Sequence, residues 1–349
     1  MALTTPPSRV ALIGYGFAGR VFHAPLIQSV PGLSLDFVAS RDAAKVHVDL
    51  PGVEVIADPM RAATDPRVDL VVIASPNDSH APLARAALEA GRNVVVDKPF
   101  ALSLADARGL AALAEANDRL LSVFQNRRWD SDFLAVQQAV QAGAVGDLMH
   151  LESRIERFRP QVKERWREAG GPGSGVLWDL APHLVDQTMQ LLGRPDSVYA
   201  NVAVQRPGAQ ADDWAHLVLS FGQRRAVLQV GMLAAGGSTR FLVHGTRGTL
   251  VKAMPDPQEA QLIAGVRPGD AEWGADSDDL MAFDGGEPRR IPVPRGDQSR
   301  YYAAVCEALQ GRGANPVTPT QAVAVMAVLE AAVVSAREGR TITPDFDPA

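Results

Sequence analysis

The sequence predicts an α/β fold: a doubly wound parallel sheet, followed by an α+β domain with a large, mostly antiparallel open sheet. The first third of the chain alternates short apolar runs with alanine-rich helical stretches, a pattern typical of a parallel sheet covered on both faces. Beyond about residue 125, longer runs of alternating polarity follow one another without helices between them, which indicates an antiparallel or mixed sheet. We therefore expect two domains, residues 1–125 and 126–349.

The predicted elements can be read in chain order. The apolar strands of the N-terminal part are Val10–Ile13, Leu35–Ala39, Leu70–Ala74, Asn93–Val96 and Leu121–Phe124, with helices at Ala81–Ala90 and Leu104–Ala116. The alternating strands of the C-terminal part are Leu148–Phe158, Val198–Gln205, Trp214–Phe221, Ala226–Leu233 and Phe241–His244. The last two predicted helices are Arg300–Leu309 and Thr320–Arg337.

Two features interrupt this pattern. Pro25 has no amide hydrogen, so we expect the first helix to break at Phe22–Pro25. The segment Met254–Asp297 is rich in Pro, Gly and Asp, and we expect a long excursion around a short helix at Gln258–Ala264.

Composition limits the classes of function. The content of 46% hydrophobic and 21% charged residues is typical of a globular chain, and the net charge of −6 disfavours nucleic acid and anionic membranes as partners. The single Cys306 excludes an intramolecular disulfide framework and fits a reducing compartment. The start, MALTTPPSRV, lacks the features of a secretory signal, and no uninterrupted apolar run approaches membrane-spanning length. We expect a soluble cytoplasmic protein.

A glycine-rich turn, Gly14-Tyr15-Gly16-Phe17-Ala18-Gly19, follows the first predicted strand. Gly14 permits the tight turn, Gly16 lets a pyrophosphate approach the backbone, and Gly19 lets the helix lie close to the strand. The helix that follows offers free N–H groups and a positive dipole end to phosphates. The pattern predicts a Rossmann-type dinucleotide site that includes Phe17 and Ala18. The alternative is a glycine turn in a non-binding α/β protein.

The residues after the second strand bear on the choice of cofactor. An acid at this place accepts the 2′-hydroxyl of NAD, whereas an arginine accommodates the 2′-phosphate of NADP. The sequence has Ser40 and Arg41 here, with Asp42 one position further. This favours NADP(H), with NAD possible; the alternative is that Arg41 is a solvated surface charge.

Further candidates follow two other strands at the edge where ligands bind. Ser75, Pro76, Asn77 and His80 come after Leu70–Ala74, and we expect them to pass along the cofactor. The alternative is an ordinary turn in which Asn77 or Ser79 caps the helix. Lys98 comes two residues after the strand Asn93–Val96 and directly before Pro99. We expect this position to hold Lys98 near the nicotinamide.

A second-domain segment supplies an acid–base pair. Asp179 and His183 are four residues apart, so on one helix they would share a face. A histidine oriented by a carboxylate suits proton transfer near neutral pH. The pair could instead be a helix cap with a core histidine, or two metal ligands. The metal alternative is poor because no cysteine or third histidine is spaced to complete a site.

The motifs GYGFAG, DKPF and WDLAPH together resemble the glucose–fructose oxidoreductase/inositol dehydrogenase/MocA family. The segments Gly16–Pro25 and Gln125–Asp130 are most similar to its NADP-dependent scyllo-inositol dehydrogenases. The family usually has Glu-Lys-Pro where this chain has Asp97 before Lys98. The resemblance implies nicotinamide-dependent oxidation of a secondary alcohol in a cyclic polyol or sugar, or reduction of the ketone.

Lys98, Asp179 and His183 match the catalytic positions of that family. His183 is then the general base, Lys98 stabilises the developing alkoxide, and Asp179 orients the substrate and the other two groups. For the substrate shell we expect Asn126, Arg157, Arg159 and Trp166, with Asn126 and Lys98 also at the cofactor.

Several alternatives stay open. The substrate could be another keto-sugar or an anhydro-sugar, or the chain could be a non-catalytic nucleotide-sensing regulator. The strand Ala226–Leu233 is apolar on nearly both faces, so we expect a homodimer or homotetramer through this sheet. If Met254–Asp297 folded back over the sheet, the protein would be a monomer.

Overall fold

The computed structural model describes residues 6–347, and its first sheet has six parallel strands. Their order, β3-β2-β1-β4-β5-β6, is that of a doubly wound dinucleotide-binding sheet, which confirms the predicted fold. The strands are β1 Ser8–Ile13, β2 Leu33–Ala39, β3 Glu54–Ile56, β4 Leu70–Ile73, β5 Asn93–Val96 and β6 Leu121–Val123. The prediction omitted β3. The outer ends of the two expected domains, residues 1–5 and 348–349, lie outside the described residues, as does the first half of MALTTPPSRV.

Continuous apolar runs place the inner strands at the centre of this sheet. Val10–Ile13 in β1 and all of β4 are at most 1% exposed, because helices cover both faces. The helices of this part are α1 Ala24–Gln28, α2 Ala43–Asp49, α3 Pro59–Thr64, α4 His80–Glu89 and α5 Leu104–Ala116.

The expected break at Pro25 is wrong. Gly19–His23 form a π-helical turn that continues directly into α1, where Pro25 lies in the first turn. A proline ends an α-helix because it lacks the donor for the carbonyl four residues earlier. Here the bonds span five residues, as from the Ala24 N–H to the Gly19 carbonyl, so the helix passes through the proline. His23 is thereby buried in the protein interior.

The second sheet has eight strands in the order β14-β13-β12-β11-β7-β10-β9-β8. β7 and β10 pair in parallel and the other neighbours pair antiparallel, which confirms the mostly antiparallel sheet. The strands are β7 Leu148–Glu156, β8 Ser197–Ala203, β9 Trp214–Phe221, β10 Arg224–Gly231, β11 Phe241–Gly245, β12 Thr249–Lys252, β13 Leu280–Phe283 and β14 Arg289–Ile291.

The excursion Met254–Asp297 extends the sheet at one edge. It contains β13 and β14, which the prediction missed because these short strands lie among Gly, Pro and Asp residues. The predicted helix within it is present with the expected bounds. The helices of the C-terminal part are α6 Ser131–Gln141, α7 Val176–Asp179, α8 Ala181–Leu192, α9 Gln258–Ala264, α10 Ser299–Leu309 and α11 Pro319–Glu338.

Burial alternates along the strands of the second sheet. In β10, Ala226, Leu228 and Val230 are buried, whereas Val227 and Gln229 on the opposite face are partly exposed. That opposite face of β10 also includes Arg225, so it is mixed in polarity rather than fully apolar, contrary to our expectation for this strand.

Helix α11 joins the two sheets. By length and composition it could span a membrane, but it packs against α5 and β6 on one side and α8 and β8 on the other, as a core helix does. Because α11 contacts both parts, the division of the chain at residue 125 stays a prediction.

Buried polar contacts fix the orientation of α8. Arg128 forms a two-pronged ion pair with Asp186, with N–O distances of 2.8 and 2.6 Å. The next residue, Gln187, accepts a bond from Arg240 at 2.6 Å and donates to the Arg127 carbonyl at 2.7 Å. These contacts fix the helix that carries His183.

Candidate active site

The candidate site is a cavity of about 340 Å³ at the carboxyl ends of β1, β5 and β6, where these strands face α7 and α8. The three predicted catalytic residues, Lys98, Asp179 and His183, all line it. Phe17 and Ala18 from the glycine turn border the same space. The structure therefore brings together the acid–base groups and one end of the predicted cofactor site.

A larger cleft, of about 1010 Å³, lies at the amino ends of β5 and β6 and is lined in part by Asn93, Arg108 and Leu121. Ligands of doubly wound sheets bind at the carboxyl edge. None of the predicted site residues lines the larger cleft, so the smaller cavity is the candidate active site.

Lys98 is held by Asp179. Its Nζ donates to the Asp179 carboxylate at 2.9 Å and to the Asp179 carbonyl at 2.7 Å. The two side chains are only 13% and 20% exposed, so the pair is largely shielded from water. Burial alone would raise the pKa of Asp179, but the positive charges of Lys98 and Arg167 outweigh burial and hold that pKa below its ordinary value. Asp179 is therefore ionised at neutral pH.

His183 is neutral at pH 7. Burial lowers its pKa well below the usual value, and the positive charges of Lys98 and Arg127 lower it further. Its Nδ1 is buried and has no hydrogen-bond partner within residues 6–347. A neutral imidazole that lines a ligand-sized cavity can accept a proton from a bound hydroxyl group.

Asp179 and His183 do not lie on one helix, contrary to the prediction. Asp179 ends α7 and His183 lies in the first turn of α8, with Leu180 between the two helices. Pro182 explains the interruption, because it has no N–H to donate to the carbonyl four residues earlier. The carboxylate instead contacts Lys98 and, at 3.3 Å, Arg167.

A buried network lies behind Lys98. The Lys98 N–H donates to the Asp97 carboxylate at 2.8 Å, and the other Asp97 oxygen lies 3.6 Å from His23 Nε2. His23 Nδ1 is 2.6 Å from the hydroxyl of Tyr302. Burial would raise the pKa of Asp97, but His23 and Lys98 keep it low, so this carboxylate is charged as well.

The glycine turn is shaped to hold a dinucleotide. Gly14 has φ +98° and an added Cβ would lie 2.8 Å from the Ala74 carbonyl oxygen, while a Cβ on Gly19 would overlap the Gly14 carbonyl. A Cβ on Gly16 would meet nothing within 4 Å. Two glycines therefore allow tight internal packing, and the third exposes backbone to the space that a diphosphate would occupy. These residues fit the predicted cofactor.

The four predicted cofactor residues after β4 differ in burial and in hydrogen bonding. Ser75 is half-buried with its backbone beside Gly14, and Pro76 is exposed. Asn77 is buried and donates to the Gly173 carbonyl at 2.9 Å, joining the two parts of the chain. The His80 ring is buried between the carbonyls of Pro99, 2.8 Å from Nδ1, and Ser75, 3.0 Å from Nε2. In this structure, Asn77 and His80 fix loops around the cofactor site through these contacts.

The end of β2 leaves an arginine free. Asp42 caps α2 by accepting the Lys45 N–H at 2.9 Å, and its own N–H donates to Ser40 Oγ at 3.2 Å. The acid is thus engaged in local structure. Arg41 is exposed, and its side chain forms no hydrogen bond or ion pair with the described residues.

Three of the four further substrate candidates, Asn126, Arg157 and Arg159, line the cavity. Asn126 is buried and donates to Gln298 at 2.8 Å, and Arg157 pairs with Glu259 at 2.8 Å. The Trp166 ring does not line the cavity; it lies 4.4 Å from the Arg167 guanidinium.

Sequence reasoning missed several charged residues of the cavity wall: Arg127, Lys163, Arg165, Arg167 and Glu259. The run of basic residues from Arg157 to Arg167 was a visible signal, but charged residues on strands and loops are more often only solvated. Glu259 gave no local signal, because it reaches the cavity from the excursion. Within residues 6–347, no group of His, Cys, Asp or Glu side chains could hold a metal ion.

A doubly wound sheet that presents a glycine turn beside an acid–base group is the architecture of a nicotinamide-dependent dehydrogenase, and this protein is of that class. Residues 8–125 match the description "Oxidoreductase family, NAD-binding Rossmann fold", and residues 137–343 match "Oxidoreductase family, C-terminal alpha/beta domain". The chain therefore belongs to the GFO/IDH/MocA oxidoreductase family, as its motifs predicted.

Relatives cover nearly the whole chain. An uncharacterized oxidoreductase of Escherichia coli, YdgJ, is 50% identical over 96% of this chain and 98% of the relative. The scyllo-inositol 2-dehydrogenase (NADP(+)) IolW of Bacillus subtilis is 34% identical over 96% and 95%. The crystal structure of an oxidoreductase from Klebsiella pneumoniae is 54% identical, with a TM-score of 0.92 over 98% of this chain and 96% of that one.

The glycine turn provides a matched test. In Gly19→Ala the new methyl group overlaps the Gly14 carbonyl, so we expect a loss of stability of about 1–3 kcal/mol, together with weaker dinucleotide binding. In Gly16→Ala the methyl group points into open space, so we expect wild-type stability but at least about tenfold weaker NADPH binding. Thermal unfolding and calorimetric titration measure the two effects. Normal NADPH binding by Gly16→Ala would contradict the placement of the diphosphate.

Proposed function

We propose that this protein catalyses reversible hydride transfer between NADP(H) and the secondary alcohol or ketone of a cyclic polyol or sugar of the scyllo-inositol kind. The observation that carries the proposal is the contact of Lys98 with Asp179 at 2.9 Å, beside the neutral His183 and next to the glycine turn. The similarity to a scyllo-inositol 2-dehydrogenase over nearly the whole chain supports the substrate class.

In this proposal His183 accepts the proton of the substrate hydroxyl during oxidation and returns it during reduction. Lys98 brings a positive charge to the oxygen on which negative charge develops. Asp179 holds the ammonium group of Lys98 in one position, so that Lys98 meets the substrate oxygen in one orientation. The bound nicotinamide supplies the hydride chemistry.

The experiment is a set of initial rates, followed by absorbance of the reduced nicotinamide, with inositols and sugars as substrates. We expect turnover to fall about 10²–10⁴-fold in Lys98→Ala, Asp179→Ala and His183→Ala, as for a positioned acid–base group. His47→Ala, an exposed histidine on α2, is the matched control and should keep wild-type turnover. Near-native turnover of a folded His183→Ala protein would refute the assignment.

The preference for NADP(H) rests on Arg41. Because Asp42 caps α2 and Arg41 has no partner among the described side chains, Arg41 is available to a 2′-phosphate. Arg41→Ala should weaken NADP binding about tenfold or more, the usual worth of a charge-assisted contact, and leave NAD binding nearly unchanged. Arg61→Ala, which removes another exposed arginine, should change neither. Equal losses for both cofactors would contradict the proposal.

We further propose a cytoplasmic homodimer, which could pair again into a tetramer, formed through the open face of the second sheet. Tyr199 and Phe283 on this sheet are each 39% exposed, and Val227 is partly exposed, so a partner sheet would bury them. The free thiol of Cys306 is consistent with a reducing compartment. Light scattering at micromolar concentration should give at least twice 37.2 kDa, and Val227→Glu should lower that mass. A single 37.2 kDa wild-type species would rule out the dimer.

In the same proposal, residue 125 separates a dinucleotide-binding domain from a domain that binds the substrate and forms the oligomer. The two sheets support this division, since β6 ends at Val123 and β7 begins at Leu148.

A further inference from the structure

One segment makes the wall of the active-site cavity strongly cationic. Five basic side chains between residues 157 and 167 line the cavity: Arg157, Arg159, Lys163, Arg165 and Arg167. Lys98 and Arg127 raise the number of cationic lining residues to seven, against three carboxylates. The whole chain has a net charge of −6, so the positive excess is concentrated at this place.

The carboxylates near the cavity are already engaged. Glu259 accepts both Arg127, at 2.6 Å, and Arg157, at 2.8 Å. Asp179 accepts Lys98 and, at 3.3 Å, Arg167. The third carboxylate, Asp97, accepts the Lys98 backbone N–H at 2.8 Å and lies 3.6 Å from His23 Nε2. All three carboxylates of the cavity therefore have partners other than Arg159 and Lys163.

Arg165 is also paired, with a carboxylate that does not line the cavity. Arg165 contacts Glu168 at 2.7 Å, and the same carboxylate also contacts Arg206 at 3.1 Å. The side chains of Arg159 and Lys163 form no ion pair or hydrogen bond with any described residue. Burial lowers the pKa of the Arg159 guanidinium, and the neighbouring Arg157 and Arg165 lower it further. Two cations thus line the cavity without a direct ion-pair partner among the described residues, and the neighbouring arginines disfavour the charge of Arg159.

In the proposed function, the cofactor phosphates bind at the glycine turn and at Arg41 rather than at the basic segment. The glycine turn follows β1 and Arg41 follows β2, both in the parallel sheet. The basic segment follows β7 in the second sheet and reaches the cavity beside Asp179, on the side of the proposed substrate. The excess of positive charge is thus available to the substrate.

We propose that the substrate carries an oxyanion group, a carboxylate or a phosphate ester, which Arg159 and Lys163 bind while its hydroxyl group meets Lys98 and His183. This inference rests on the proposed function, and it narrows the substrate to an acidic or phosphorylated polyol or sugar. Guanidinium and ammonium groups bind such oxyanions through charge-assisted hydrogen bonds, which are stronger than those to a neutral hydroxyl.

Matched pairs of probes test the inference. Calorimetric titration of the NADPH-loaded protein compares D-gluconate with D-glucitol, D-glucuronate with D-glucose, and D-glucose 6-phosphate with D-glucose. We expect the charged member of at least one pair to bind about tenfold or more tightly than its neutral partner. In the Arg159→Gln/Lys163→Gln double variant this ratio should fall toward one, whereas Arg61→Gln, at an exposed arginine outside the cavity, should keep it. The pairs distinguish a carboxylate from a phosphate ester.

Equal binding of charged and neutral partners in all pairs would overturn the inference, as would an unchanged ratio in the double variant. The proposed function has a separate readout, the formation of NADPH from NADP and these polyols and sugars. If neutral inositols are oxidised rapidly and the charged partners bind no better, the inference fails and the proposed function stands. If an oxyanion binds as expected and no polyol or sugar of either kind is oxidised, the proposed function fails instead.

Discussion

The site depends on the contact between Lys98 and Asp179, which lie 81 residues apart in sequence. Lys98 follows a strand of the parallel sheet and Asp179 ends a helix of the other part, so the contact joins the two halves of the cavity. Either charge left alone in this shielded place would be destabilising, since a buried ion without a partner costs several kcal/mol, roughly 3–5 when one partner is removed. The pair therefore also constrains the position of α7 and α8 relative to the strand ends. The position of His183 on α8 is constrained in the same way.

At neutral pH Asp179 is charged and His183 is uncharged, and the positive charge of Lys98 favours both states. Lys98 favours the charged form of Asp179 and the uncharged form of His183, and so it lowers the pKa of both. Both groups are consequently in their basic forms at neutral pH. One is a fixed negative charge that holds the lysine, and the other is a free base. Burial of His183 and the positive charge of Lys98 thus give two neighbouring residues different charges at the same pH.

The sequence predicted the parts of the molecule that local chemistry determines. The apolar runs of β1, β4 and β5 and the spacing of Gly14, Gly16 and Gly19 identify the first sheet and its ligand edge because burial on both faces leaves few alternatives. Three errors have long-range or unusual causes. The helix passes through Pro25 by means of a π-helical turn, and Asp179 and His183 fall on separate helices around Pro182. The short strand β13 pairs with the edge of β12, and β14 pairs with β13, so both depend on partners that the local sequence does not show.

The charge of the cavity wall was harder to predict because it depends on which basic side chains form ion pairs with carboxylates. The sequence shows the basic run from Arg157 to Arg167, but it does not show that Glu259, 102 residues beyond Arg157, binds two arginines. Nor does it show that Arg159 and Lys163 have no ion-pair partner among the described residues. The proposed acid–base groups lie at the ends of buried strands and helices, where packing fixes them. The unpaired cations lie on a connection after β7, and Glu259 lies on a short helix of the excursion. Connections accept substitutions that buried elements do not. If the proposed function holds, a scaffold of this kind can change the charge of the substrate that it binds while the proposed proton-transfer groups stay in place.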